Sequence, residues 1–155
     1  MPFRICMRFE IESAHMLSRH PEKCKYPHGH SRTVEVVLSA EQLDDSGMVC
    51  DFKAVKLAIG AFIDSFDHAI CVNTQDAMLP KLREMPGIRL ITYEQTDPTT
   101  EVMARHMFQH IQQALQKTIS YPGTDGKPAY RIGATVKLER VRVWETKTSW
   151  AEYSE

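Results

Sequence analysis

The sequence predicts an α+β protein built around an antiparallel sheet. Three observations carry this. Both ends of the chain alternate apolar and polar residues with a period of two, as half-buried strands do. Two stretches between them repeat apolar residues at helical spacing. The order reads strand, strand, helix, helix, strand, strand, without the strict alternation of a parallel doubly wound sheet.

The first strand opens the chain, with Phe3, Ile5, Met7, Phe9 and Ile11 on one face and Arg4, Cys6, Arg8, Glu10 and Glu12 on the other. A polar loop from Met16 to Pro27 leads into a second strand from about His30 to Ala40, with Val34, Val36 and Leu38 on one face. These two strands are expected to pair antiparallel. "DDSG" (Asp44 to Gly47) is a turn. From Asp51 the period becomes helical: Phe52, Val55, Ile59, Phe62, Ile63 and Phe66 recur on one face, and Asp51 can cap the first turn. An irregular stretch, Ala69 to Thr96, contains a short strand at "IRLITYE". The second helix is "DPTTEVMARHMFQHIQQALQK", with Asp97 as N-cap, Pro98 as first helical residue and Val102, Met103, Met107, Ile111 and Leu115 as its buried stripe. "YPGTDGKP" reads as a loop. A strand through Ala134, Val136 and Leu138 continues at Val141 and Val143 on the opposite parity, which requires a bulge near Glu139 and Arg140. "ETKT" then turns the chain into a last strand, "SWAEY".

The length of 155 residues suits one domain, 1–155, with a single core. A net charge of −1 gives no electrostatic case for nucleic acid or anionic lipid as a partner. No apolar run approaches the ~20 residues that span a bilayer, and "MPFRICMRFEIE" lacks the apolar centre of a signal peptide. A cytoplasmic location is the expectation. The four cysteines, Cys6, Cys24, Cys50 and Cys71, show no CxxC spacing and read as free thiols or ligands rather than disulfides.

The chemistry gathers around "CKYPHGHSRTVEVVL". Positions i and i+2 of a strand point the same way, so His28 and His30 can present both imidazoles to one ion. His15 ends the first strand, and antiparallel pairing can bring it alongside. Three histidines with no fourth protein ligand is the pattern of a catalytic zinc, which keeps an open position. The tripeptide alone fits a polar strand entry with no metal equally well. Cys24 is either a fourth ligand that closes a structural site or a thiol beside an open one; spacing does not separate the two. "FDHA" sets Asp67 beside His68 at a helix end, where a carboxylate can orient a proton-transferring imidazole or where a histidine simply favours the helix terminus. Glu145, beside Trp144 at a strand end, can accept two N–H groups of a planar heterocycle or simply lie in solvent. His106 and His110, at i and i+4, lack a third ligand and read as core-edge packing.

Taken in order, "FEIESAHML", "CKYPHGHSRTVEVVL", "GMVCDFKAVK", "IDSFDHA", "DPTTEVMARHMF" and "VRVWETKTSWAEY" resemble the 6-pyruvoyl- and 6-carboxy-tetrahydropterin synthase family over most of the chain. The resemblance implies a tunnelling fold: a four-stranded antiparallel sheet with two helices on one face. It implies homo-oligomers in which trimers stack into hexamers, with active sites between subunits. It implies Zn2+ held by His15, His28 and His30. Cys24 becomes a proton-transfer thiol, and Asp67 with His68 a partner pair reaching a neighbouring subunit's site. Glu145 anchors the pterin, with Thr99 and Thr100 near it. The implied substrate is 7,8-dihydroneopterin triphosphate. The short spacing from Cys24 to His28 is similar to that of the 6-carboxy branch, which serves queuosine synthesis; a pyruvoyl-type lyase and a non-catalytic pterin- or metal-binding homologue are the alternatives. The chain departs from the compact bacterial pattern between His68 and Pro98, at "AICVN" and at "YPGTDGKPAYRIG". The longer segment brings Lys81, Arg83 and Arg89, suited to phosphates or to solvating a loop.

Overall fold

In a computed structural model describing residues 1–155, eight strands and three helices follow one another as β1 (Phe3–His15), β2 (His28–Ala40), α1 (Phe52–Asp64), β3 (Ala69–Asn73), α2 (Leu79–Arg83), β4 (Arg89–Tyr93), α3 (Thr100–Ala114), β5 (Ile119–Pro122), β6 (Pro128–Ile132), β7 (Lys137–Trp144) and β8 (Trp150–Ser154). The main sheet has six strands in the order β4-β3-β1-β2-β7-β8, and β5 pairs with β6 apart from it. The expected α+β class holds, but the four-stranded antiparallel sheet is corrected to a mixed one. Strands β1, β2, β7 and β8 form the expected antiparallel meander. Strands β3 and β4 extend it in parallel, joined to β1 only through Ala14 and His15. The physical reason is the longer segment after His68. It is long enough to return twice to the sheet edge, and it seals Val72, Leu79 and Leu82 with Met16 into a small core of its own.

Strand periodicity sets the layers. The face carrying Ile11, Val34, Val36, Leu38, Val141 and Val143 is buried under α1 and α3, which supply Val55, Ile59, Ile63, Met103, Met107, Phe108 and Ile111 to a continuous core. Phe52 and Val102, assigned to buried stripes by spacing, are exposed and half-buried; Ala54, Ala104 and Phe108 fill the positions facing the sheet. The opposite face carries ion pairs instead. Arg4 bonds Glu139 at 2.6 Å, Arg8 bonds Glu35 at 2.7 Å, and Arg142 bonds Glu152 at 2.8 Å. The β2–β7 register steps between Val37 and Leu38, leaving Glu139 as the extra residue. This bulge returns Val141 and Val143 to the core face.

Two local expectations change. Asp51 does cap α1, accepting from the Lys53 N–H. Asp97 does not cap α3. Thr99 does, its hydroxyl accepting from the Val102 N–H at 3.3 Å. The Asp97 carboxylate is taken by Ser18 Oγ, the Arg19 N–H and Asn73 Nδ2, so it ties the loop after β1 to the approach to α3. "YPGTDGKP" is the tip of the β5–β6 hairpin rather than a plain loop, with Gly126 at φ +77° making the turn. No helix is long and apolar enough to cross a membrane.

Candidate metal centre

The β1–β2 pairing builds the site. Its register sets His15 directly opposite His28 and Ser13 opposite His30. Alternation then puts all three imidazoles on the core-facing side of the sheet, just beyond the apolar packing. Ring centroids lie 4.5 Å apart for His15 and His28, 5.2 Å for His15 and His30, and 5.1 Å for His28 and His30. Glu145 follows β7 with the parity of Val143, and its carboxylate joins them. One ligand atom from each of the four residues lies within 4.8 Å of all the others.

Main-chain carbonyls fix two of the rings. His15 Nδ1 donates to Pro98 O at 2.8 Å, and His28 Nδ1 donates to Tyr26 O at 2.8 Å. A carbonyl can only accept, so both rings carry the proton on Nδ1 and offer a bare Nε2. Such outer bonds orient metal-ligating histidines. Nε2 of His30 is buried and has no hydrogen-bond partner. Burial, reinforced by Arg32 and opposed by the Pro98 bond, pushes His15 down to about 4. Burial first and Arg32 second push His30 down as well. Both shifts favour the neutral imidazole, the form a metal needs. Converging neutral imidazoles with an orphaned nitrogen fit a zinc ion by donor type and number.

Arg32 is the site residue that sequence reading missed. It is 1% exposed, Nη1 donates to Thr100 Oγ1 at 3.0 Å, and no carboxylate forms an ion pair with it. Nη2 lies 3.3 Å from both ring nitrogens of His15, so it sits off the axis of the Nε2 lone pair. Parity with His28 and His30 carries the signal: a cation at i+2 of two buried-face histidines has nowhere to go but inward. Thr99 and Thr100, expected near a pterin, have their hydroxyls engaged by the α3 cap and by Arg32.

Cys24 lies on a short 3-10 turn, Lys23–Lys25, whose carbonyl at Cys24 receives the Leu17 N–H at 2.9 Å. Its thiol is not among the four converging groups. Asp67 and His68 form a tight unit. Asp67 Oδ1 accepts from the Glu12 N–H at 2.7 Å, Asp67 Oδ2 pairs with His68 Nδ1 at 2.8 Å, and His68, at φ +54°, donates its N–H to Glu12 O. Arg89 Nη1 fastens the same turn through Asp67 O at 2.8 Å. The Glu12 N–H, then His68, hold the Asp67 carboxyl below its usual range. His68 is exposed, its side chain 76% accessible, and it lines a depression with Glu12, Ala14, Gly29, His30 and Ser31. Neither Asp67 nor His68 is among the four groups that converge at the cluster. His106 and His110 are engaged elsewhere: Nδ1 of His106 meets the Tyr93 hydroxyl at 3.0 Å, and His110 stacks on Phe62 at 3.6 Å. A groove between β1 and α1 holds none of these residues.

The chain is similar to known proteins over most of its length. The family model described as 6-pyruvoyl tetrahydropterin synthase matches residues 4–155. A 6-carboxy-5,6,7,8-tetrahydropterin synthase of Aquifex aeolicus is 32% identical over 86% of this chain and 76% of its own. One of Haemophilus influenzae is 30% identical over 99% of both chains. Among solved structures, an uncharacterised protein of Wolinella succinogenes superimposes with a TM-score of 0.76 at 20% identity, covering 100% of this chain and 99% of that one. The 6-pyruvoyl tetrahydropterin synthase of Plasmodium vivax gives 0.70 at 12%, covering 100% and 98%, a likeness of fold alone.

Proposed function

Because the chain belongs to the 6-pyruvoyl tetrahydropterin synthase family, we propose that it is a zinc-dependent lyase. It would convert 7,8-dihydroneopterin triphosphate and water to 6-carboxy-5,6,7,8-tetrahydropterin, acetaldehyde and triphosphate. The observation that carries the metal reading is the pair of carbonyl-locked imidazoles, His15 and His28, converging with the orphaned Nε2 of His30. The carboxy branch is favoured by the names of the Aquifex and Haemophilus relatives. The three-residue gap between Cys24 and His28 points the same way.

In this reading His15, His28 and His30 hold the ion. Zinc there would polarise the substrate's side-chain hydroxyls and acidify the neighbouring C–H. Cys24 exchanges the proton on one face of the side chain. His68, oriented by the Asp67 carboxylate, exchanges it on the other. Glu145 receives two N–H groups of the heterocycle, and Arg32 holds Thr100 against the His15 ring. His68, exposed and outside the converging groups, serves the cluster of a neighbouring copy, in a homo-oligomer of two stacked trimers.

The test is incubation of the purified protein with 7,8-dihydroneopterin triphosphate and mass analysis of the pterin product. The 6-carboxy compound with acetaldehyde is expected. A pyruvoyl product would move the protein to the other branch, and unchanged substrate would leave it a binder.

A further inference from the structure

We propose that Glu145 is a displaceable fourth ligand of the metal, holding the coordination position closed until a heterocycle draws its carboxylate away. The inference rests on the metal site of the reading above, and adds to it a second post for the residue expected to hold the pterin.

The geometry is specific. Glu145 Oε1 lies 3.1 Å from His30 Nε2 and 3.5 Å from His15 Nε2. Donor atoms sharing one tetrahedral zinc, each roughly 2.0–2.2 Å from it, sit about 3.3–3.4 Å from each other. The two observed separations bracket that value. They are not hydrogen bonds. His15 spends its Nδ1 proton on Pro98 O, so its Nε2 presents a lone pair to the carboxylate. His30 Nε2 is buried without a partner although the carboxylate is close, because the alignment is wrong for N–H donation. The Glu145 carboxylate makes no other polar contact. The His15 Nε2 and the carboxylate are both acceptors, and acceptors turned toward one another at 3.5 Å repel unless a cation lies between them.

The same residue is built to let go. Its backbone is pinned, with the Glu145 N–H donating to Ser149 O at 2.9 Å and the Thr146 N–H donating to the same oxygen at 3.3 Å. Its side chain is 32% exposed and held by nothing but the two imidazoles. A carboxylate on a fixed backbone can therefore rotate from the metal to the edge of an arriving planar heterocycle, whose paired N–H groups match its two oxygens. Arrival of the ring then frees a coordination position for the side-chain hydroxyls. A substrate lacking the ring would meet a filled metal.

The experiment uses cobalt(II) in place of zinc, because its visible absorption reports the donor set directly. The full-length protein and Glu145→Gln are loaded with cobalt and titrated with 7,8-dihydropterin, which has no side-chain hydroxyls to chelate the ion. Three results are expected. The two cobalt spectra differ before any ligand is added. Dihydropterin shifts the wild-type spectrum and leaves that of Glu145→Gln unchanged. Zinc affinity of the variant falls at least about tenfold. Identical cobalt spectra would overturn the proposal while leaving a three-histidine centre standing. A dihydropterin shift of equal size in both proteins would overturn it too, since the heterocycle would then be touching the metal itself. Failure of both proteins to take up cobalt would remove the metal reading along with it.

Discussion

A histidine whose Nδ1 proton is committed to a main-chain carbonyl can present only Nε2 outward, and two of the three clustered imidazoles are in that state. Removing one ligand and removing a proton-transfer group should therefore look different. The wild-type protein should carry about one zinc per chain and His28→Ala should lose it, as read by metal analysis; full occupancy in that variant would contradict the assignment. Cys24→Ala should keep its zinc and lose about 10²–10⁴-fold in turnover; loss of zinc instead would make Cys24 a ligand. At this scale much was legible. The i, i+2 spacing of His28 and His30 and the strand-end position of His15 follow from the pleat alone, and the parity of Glu145 follows once the bulge at Glu139 is placed. Arg32 was not read, although the same parity points it inward, because a buried arginine without a carboxylate runs against the usual cost of burying charge. The Pro98 and Tyr26 carbonyls carry no side-chain signal, so no motif could have named them.

At the scale of elements, the four-strand meander and both long helices were legible because each is long enough to show its period. Strand β4 was legible too, at "IRLITYE". Strand β3 and α2 were harder: β3 is five residues and pairs in parallel, and α2 is a single short turn with Pro80 in it. Nothing local distinguishes such pieces from a loop. Asp97 shows how a contact can displace a propensity: its sequence position suits a cap, but Ser18, Arg19 and Asn73 claim its oxygens. Burial pushes its carboxyl upward, yet those accepted hydrogen bonds outweigh burial and hold it below the usual range. The stability it contributes is thus present above the unfolded pKa of about 3.9 and lost as pH falls through the lower native value. Asp97→Asn should cost about 1–3 kcal/mol in urea unfolding at pH 7, and the gap from wild type should close below about pH 4. A gap independent of pH would show that the carboxylate's charge does not matter there.

At the scale of the whole molecule, the proposed machinery is not gathered at one point of the chain. The histidine cluster lies on the face under the helices, whereas Asp67 and His68 stand at the turn between α1 and β3, outside the four converging groups. The proposed function has the two meet between copies. Mixing Cys24→Ala protein with His68→Ala protein, each inactive alone, should restore activity after subunit exchange. Random assembly with one donor of each kind per site gives about one quarter of the wild-type rate. No recovery in verified mixed oligomers would place both groups in the same chain's site. Local spacing could not show how Asp67 and His68 are held, because their posture depends on the left-handed backbone of His68, the His68 N–H bond to Glu12 O and the Glu12 N–H bond to Asp67 Oδ1. The hairpin that supplies His15, His28 and His30 has a consequence for the order of folding. All three imidazoles belong to one local strand pair, so they meet as soon as β1 and β2 zip, while Glu145 must wait for the far end of the chain to find β2. Loop closure between β1 and β2 is entropically cheap beside that long-range pairing. An ion caught by the early hairpin would cross-link the nascent sheet before its last strands arrive, which would make the proposed metal a guide to register as well as a reagent.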